Sequence, residues 1–154
     1  MSSEESFLLG FFAVFAGFIL FAILIAIIFY VLYAVGMYNI TKRSEKSDLA
    51  FLAWIPIAQI FLIPLIVEND VHKEIRGKFT MIFVIAFVVS IVLSWVFAPF
   101  GLLYTAVLIY GFYFLANKFS QNAVVHTIIA AITLGASIPI SVFRLRKREP
   151  IVHA

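Results

Sequence analysis

Residues 49–67 read LAFLAWIPIAQIFLIPLIV, and this stretch decides how the chain is threaded. It contains no charged residue, and as a helix of this length it could cross the roughly 30 Å hydrocarbon core of a bilayer. Two prolines interrupt it, Pro56 and Pro64, and each removes a helical hydrogen bond. Two interpretations remain open: a kinked helix that spans the membrane, or a re-entrant segment that enters and leaves on the cytoplasmic side.

Three other charge-free stretches accompany this one, and the four together contain 111 of the 154 residues. The longest, 79–117, exceeds one crossing and contains Pro99-Phe100-Gly101, which predicts a turn between two helices. We therefore predict an all-α, polytopic membrane bundle in a single domain, 1–154. Its predicted helices cover residues 7–38, 49–67, 79–98, 102–117 and 123–143, followed by a basic tail over 144–154.

The composition excludes several classes of protein. The chain is 64% hydrophobic and 12% charged and has no cysteine, whereas soluble domains are about 45–50% apolar and about 25% charged. A soluble enzyme, a disulfide-stapled secreted module and a cysteine-based zinc site are therefore excluded. The basic residues lie in short loops, so no nucleic-acid partner is expected. The usual phosphate, dinucleotide and zinc motifs are missing from the sequence, and we expect neither a cofactor nor a metal.

The basic residues predict an orientation but not the number of crossings. Five crossings place seven lysines and arginines inside against four outside, and four crossings with 49–67 re-entrant give the same count. The densest basic cluster directly follows the last predicted helix, where the positive-inside rule acts most strongly. We therefore expect five spans in the cell membrane, with the N-terminus outside and the C-terminus cytoplasmic. The tail should also attract anionic lipid headgroups through Arg144, Arg146, Lys147 and Arg148.

The residues Trp54-Ile55-Pro56-Ile57-Ala58-Gln59 follow a long first helix and a short basic loop. This run resembles a segment of small bacterial polytopic membrane proteins in which a tryptophan, an Ile-Pro pair and an amide precede further hydrophobic helices. The resemblance covers about 30 residues, and Gln59 stands where asparagine is commoner. Most members of that group are uncharacterised. The resemblance therefore implies a bacterial membrane protein and no particular activity.

One loop gathers most of the groups that could carry chemistry. Glu68, Asp70 and His72 lie close together, and a helix would place Glu68 and His72 on one face, where they could bind a metal or act as an acid–base pair. We interpret this loop chiefly as a solvated connection between membrane segments. His126 lies four residues inside the last charge-free stretch, and we expect it to anchor the helix at the interface.

These patterns favour a non-catalytic membrane protein. Its predicted spans contain no charged residue, which counts against ion-coupled transport, and its loops are too short for an extramembrane domain. We expect an accessory, assembly or protective subunit that packs against a larger membrane protein or against itself. A small transporter or channel for an uncharged or lipid-like solute is the alternative, with Trp54, Pro56, Gln59 and Pro64 in its broken helix. An enzyme acting at the membrane surface through the 68–72 loop is a third possibility.

Overall fold

The computed structural model describes residues 3–151, and this part of the chain is helical and contains no β-strand. The predicted all-α class is therefore confirmed. Residues 1–2 and 152–154, which belong to the predicted domain and its basic tail, lie outside the described residues. The α-helices are α1 (Ser3–Lys42), α2 (Leu62–Val67), α3 (Phe79–Ser94), α4 (Gly101–Phe119), α5 (Ala123–Ile132) and α6 (Ile138–Leu145). Shorter 3₁₀ segments cover Ser47–Trp54, Ala58–Phe61 and Ala98–Phe100.

The chain divides into two compact units, Met1–Val31 and Leu32–Ala154, where the sequence predicted one domain. The described part of the first unit is a single helical stretch of α1. Taken by itself, this stretch carries apolar side chains on every side, and its two acidic residues, Glu4 and Glu5, lie in the first turn. A helix that is apolar all round is suited to lipid or to a protein interior.

Among residues 3–151, two helices are long and apolar enough to cross a membrane, judged by length and composition: Glu4–Lys42 and Ala98–Phe119. Three further apolar helices, Ala58–Val67, Phe79–Ser94 and Ala123–Ile132, are shorter than 18 residues. A membrane location is therefore compatible with the structure, whereas the predicted five-span bundle is not confirmed.

The segment 49–67 is broken, as its prolines predicted. A 3₁₀ helix ends at Trp54, the backbone at Ile55 is extended with φ −100° and ψ 113°, and a second 3₁₀ turn leads into α2. The two 3₁₀ pieces pack against each other, so the chain folds back after Trp54. Pro56 lies in the connection between them, whereas Pro64 lies inside α2.

Helices α3 and α4 form the hairpin that Pro99 predicted. The Phe79 ring lies 5.7 Å from the Tyr110 ring, and the Phe83 ring lies 5.3 Å from the Tyr104 ring. The partner number falls as the residue number rises, so the two helices are antiparallel. Helix α3 ends at Ser94 rather than at the predicted residue 98, because residues 95–97 already form the turn that leads to Pro99.

The single helix predicted over 123–143 is wrong, because the structure has two short helices there, α5 and α6. Helix α5 ends at Ile132, and two residues with left-handed backbone follow shortly after it: Leu134 at φ 49° and Gly135 at φ 88°. The Gly135 amide donates to the Ala130 carbonyl at 2.7 Å and the Leu134 amide to the Ala131 carbonyl at 3.2 Å. This hydrogen-bond pattern is a Schellman motif, which terminates a helix. Pro139 then stands in the first turn of α6, where a missing N–H costs nothing.

The core of the second unit brings the last turns of α1 together with α2, α4 and α6. Helix α1 passes so close to α6 that a Cβ atom on Gly36 would lie 2.8 Å from the Phe143 nitrogen. A Cβ atom on Gly111 in α4 would lie 3.0 Å from the Phe79 ring. Glycine at these two positions therefore permits the close helix packing. The largest fully buried side chains include Met37, Ile40, Leu62, Phe79, Phe83, Phe112 and Phe119.

Candidate functional site

The loop that follows α2 does not present Glu68 and His72 on one helix face. Helix α2 ends at Val67, and residues 68–70 form a turn, so the helical spacing that would align the two side chains is not present. His72 is exposed, and its carbonyl oxygen accepts hydrogen bonds from the Ile75 and Arg76 amides, both at 3.1 Å. No hydrogen bond or ion pair described between residues 3 and 151 joins the His72 side chain to the Glu68 carboxylate.

Glu68 caps the following helix. One of its carboxylate oxygens accepts a hydrogen bond from the backbone N–H of Thr80 at 2.8 Å and another from the Thr80 hydroxyl. The first amides of an α-helix lack intrahelical partners, and the helix dipole favours a negative charge there. The Glu68 carboxylate satisfies one of those amides in α3, and its role is therefore to fix the start of that helix.

Asp70 joins the same loop to the other end of the hairpin. Its carboxylate lies 2.8 Å from the ammonium group of Lys118, in the last turn of α4. The Lys118 side chain is 19% exposed and that of Asp70 is 37% exposed, so the pair is partly withdrawn from solvent. Two of the three residues proposed for surface chemistry are thus engaged in bonds that hold the loop to α3 and α4. Within residues 3–151, the structure brings together no group of three histidine, aspartate or glutamate side chains that could hold a metal.

The basic tail is bonded back onto two earlier segments. The Arg43 guanidinium donates to the Lys147 carbonyl at 2.8 Å and to the Glu149 carboxylate at 2.7 Å. The Arg148 guanidinium donates to the hydroxyl of buried Ser120 at 2.9 Å. Three residues further on, the Ile151 amide donates to the carbonyl of Lys118, the same lysine that pairs with Asp70, at 2.7 Å.

These bonds connect four segments, 42–46, 68–78, 118–122 and 144–151, which we call together the charged face. Sequence reasoning missed the residues that make the connections, Arg43, Lys118, Ser120 and Glu149. Their partners lie 28 to 106 positions away along the chain. No local spacing identifies such pairs.

The four bases expected to meet lipid headgroups differ in their surroundings. Arg146 lies over the Phe143 ring at 3.5 Å and donates to the Phe143 carbonyl at 2.6 Å, and Arg148 is bonded to Ser120 as described. Arg144 and Lys147 have exposed side chains. Arg146 and Arg148 therefore contribute to the fold, while Arg144 and Lys147 project from the charged face.

The broken segment places its four candidate residues in different environments. Trp54 is 47% exposed at the end of the first 3₁₀ helix, and Pro56 is exposed in the connection that follows it. Pro64 is buried in α2. Gln59 is half-buried, and its amide oxygen, Oε1, is buried without a hydrogen-bond partner among residues 3–151. An unpaired buried acceptor costs free energy, so Gln59 is the one candidate here whose polar group the fold leaves unsatisfied.

His126 lies in the first turn of α5 and is half-buried. Its backbone amide donates to the Asn122 carbonyl at 3.3 Å. Among residues 3–151, no described hydrogen bond or ion pair joins His126 to residues 68–72.

Comparison with known proteins adds no identification. No protein-family model matches the chain, and no curated protein or solved structure is significantly similar to it.

Proposed function

We propose that this chain is a non-catalytic integral membrane protein, an accessory, assembly or protective subunit that packs against a larger membrane protein or against a second copy of itself. The observation that carries the proposal is the use of the loop carboxylates. Glu68 holds the start of α3, and Asp70 holds the end of α4. Carboxylates engaged in this way stabilise the fold, and they are not presented toward a substrate.

The location is part of the same proposal. We place the chain across a cell membrane of bacterial type by an odd number of crossings that include α1 and α4, with the N-terminus outside, since Lys42, Arg43 and Lys46 directly follow α1. The C-terminal tail is placed in the cytoplasm, where Arg144 and Lys147 would meet anionic headgroups. Five crossings would require residues 49–67 and 123–143 each to cross, although both are built from short helices.

The mass of the protein released in mild detergent tests the proposal of a subunit. We expect a particle larger than one 17.3 kDa chain with its detergent, because a subunit keeps its partner or a second copy bound. A lone monomer, with no co-purifying protein in gentle extracts from its native cells, would contradict it.

The enzyme alternative is tested by His72→Ala. The His72 side chain is exposed, so its removal leaves the Glu68 and Asp70 bonds intact. We expect the cellular phenotype of the wild-type gene to be fully retained. Loss of the phenotype at an unchanged protein level would favour surface chemistry over a structural role.

Transport of an uncharged or lipid-like solute is the second candidate, and the unpaired Gln59 oxygen favours it. A buried acceptor without a protein partner could receive a hydrogen bond from a passing solute. Liposome flux measured with wild-type protein and with Gln59→Leu separates the candidates. Flux that Gln59→Leu abolishes would establish transport, and a lack of flux in both proteins would remove it.

A further inference from the structure

We propose that the charged face lies as a single surface on the anionic cytoplasmic leaflet of the membrane, and that residues 47–67 and 123–145 both enter and leave the membrane on that side. This inference rests on the membrane location proposed above. It replaces five crossings with three, made by α1, α3 and α4.

The segment 123–145 begins and ends at the same place. Ser120, just before α5, is bonded to Arg148, just after α6, at 2.9 Å, and the Lys118 carbonyl is bonded to the Ile151 amide at 2.7 Å. A straight helix over 123–143 would separate its ends by about 30 Å at 1.5 Å per residue. Helices α5 and α6 have ten and eight residues, so each reaches only about half the depth of a hydrocarbon core.

The segment 47–67 also returns to its starting side. Its two 3₁₀ pieces pack against each other on either side of Pro56. After Pro56 the chain runs along the α3–α4 hairpin. The Phe61 ring lies 6.0 Å from the Phe83 ring of α3, and Ile63 lies beside Gly111 of α4. Asp70 then pairs with Lys118. The chain therefore runs alongside α4 toward the C-terminal end of that helix and reaches the charged face at residue 70.

The α3–α4 hairpin has its closed end opposite the charged face. Lys78 precedes α3 and Lys118 lies in the last turn of α4, while residues 95–100 connect the two helices at the other end. The connection contains no charged residue, and its Trp95 side chain is 89% exposed. An exposed tryptophan at a hairpin end is typical of the membrane–water interface.

The turns of the two re-entrant segments contain no charged residue and expose large apolar side chains, although the second also contains the hydroxyls of Thr133 and Ser137. Ile57 is 74% exposed beside Pro56, and Leu134 is 65% exposed at the end of α5. Exposed apolar side chains of this size suit contact with lipid.

The charge distribution fixes the side on which the charged face lies. All eleven lysines and arginines of the chain fall within its four segments, together with five of the eight acidic residues. The positive-inside rule could not separate the topologies predicted from sequence, because each left four bases outside. With the charged face on one side, no base remains outside. A surface with this excess of bases fits an anionic leaflet, which attracts lysine and arginine side chains that lie close to it.

Single cysteines placed in each loop test the proposal, since the native chain contains none. The sites are Glu45→Cys, Asn69→Cys, Gln121→Cys and Lys147→Cys, all at exposed positions, with Ser3→Cys as the outside control. A membrane-impermeant maleimide is applied to intact bacterial cells expressing each variant, before and after permeabilisation. We expect all four sites to react only after permeabilisation, while Ser3→Cys reacts at once.

The alternative topologies give different labelling. Five crossings predict that Asn69→Cys and Gln121→Cys react in intact cells, and four crossings predict this for Lys147→Cys. Reaction of any of the four sites in intact cells would overturn the proposal. Recovery of the protein from the soluble fraction would instead overturn the membrane location itself.

Discussion

The apolar segments 49–67 and 123–143 are both broken, but in different ways. In the first, the connection lies at Pro56 itself, and the chain folds back there. In the second, Gly135 and Leu134 end one helix by a left-handed turn, and Pro139 stands in the first turn of the next. In the second segment, the glycine four residues before the proline marks the end of one helix, and the proline marks the start of the next. The proline does not kink a continuous helix there.

The largest expected effect concerns how the second segment is held against α1. A Cβ atom at Gly36 would lie 2.8 Å from the Phe143 backbone nitrogen in α6, and backbone cannot move aside as a flexible side chain does. We expect Gly36→Ala to lower the free energy of unfolding by about 2–3 kcal/mol, as overpacking does. Thermal or denaturant unfolding in detergent measures the loss.

The matched control is Gly17→Ala, at a position of the same helix with no heavy atom within 4 Å of the added Cβ. It should leave the stability unchanged or raise it by up to about 1 kcal/mol, the helix propensity difference between the two residues. Equal effects of the two substitutions would contradict the close packing of α1 against α6.

A double-mutant cycle on the bond that closes the second segment gives the next largest effect. Arg148→Gln and Ser120→Ala remove the two ends of a hydrogen bond from a charged donor to a buried hydroxyl. We expect a coupling free energy of about 1–2 kcal/mol from unfolding of the two single variants and the double variant.

Arg144→Gln combined with Ser120→Ala is the control cycle, because the Arg144 side chain is exposed in the last turn of α6, four residues before Arg148. Its coupling should be close to zero. If the Arg148 cycle were also uncoupled, residues 120 and 148 would not be neighbours and the second segment would not be closed.

Two substitutions at the break in the second segment should change the free energy of unfolding in opposite directions. A left-handed leucine costs roughly 1–2 kcal/mol relative to glycine, so Leu134→Gly should raise the free energy of unfolding by about 1 kcal/mol. Gly135→Ala should lower it by a similar amount, since φ is 88° there. A continuous helix would reverse both signs, because glycine weakens a helix interior and alanine strengthens it.

The smallest effect on the free energy of unfolding is expected for the two tail bases with exposed side chains, Arg144 and Lys147. Arg144→Gln together with Lys147→Gln removes two exposed bases and leaves the Arg43, Arg146 and Arg148 bonds in place. The free energy of unfolding in neutral detergent should not change. Preference for phosphatidylglycerol over phosphatidylcholine, measured by fluorescence titration in mixed micelles, should fall by about 1 kcal/mol for each base removed.

Much of the fold was accessible from the sequence because it depends on local composition. The all-α class follows from long charge-free stretches. The hairpin turn follows from Pro99 and Gly101, and the break in 49–67 follows from Pro56. Each of these signals acts within a few residues of the structure that it determines, through a missing amide or a permissive backbone.

The break at Gly135 had a local signal too, a glycine followed four residues later by a proline. The length of the stretch points the other way, since 21 uncharged residues are enough for one helix that crosses the membrane. The structure ends α5 before Pro139 instead, and this places the proline where its missing amide has no cost.

The bonds of the charged face could not be predicted in the same way. Glu68 and Asp70 were recognised as polar residues of one loop, but their partners are Thr80 and Lys118, 12 and 48 positions later. Which base meets which acid depends on how α3, α4 and the tail pack, and the sequence offers many equivalent pairs. Chemistry in this loop was therefore conceivable from sequence, whereas the structure uses both carboxylates to hold helices in place.

We propose to measure the distance between spin labels at Gln121→Cys and Lys147→Cys. This distance tests directly whether residues 123–145 return to the side of the charged face, where they begin. The bond between Ser120 and Arg148 brings these two positions together, and we predict a label separation below about 20 Å, since each label adds only a few rotatable bonds to its side chain. A continuous helix from 121 to 147 would separate their Cα atoms by about 39 Å. A measured distribution centred near that longer distance, in detergent or in lipid nanodiscs, would contradict the account.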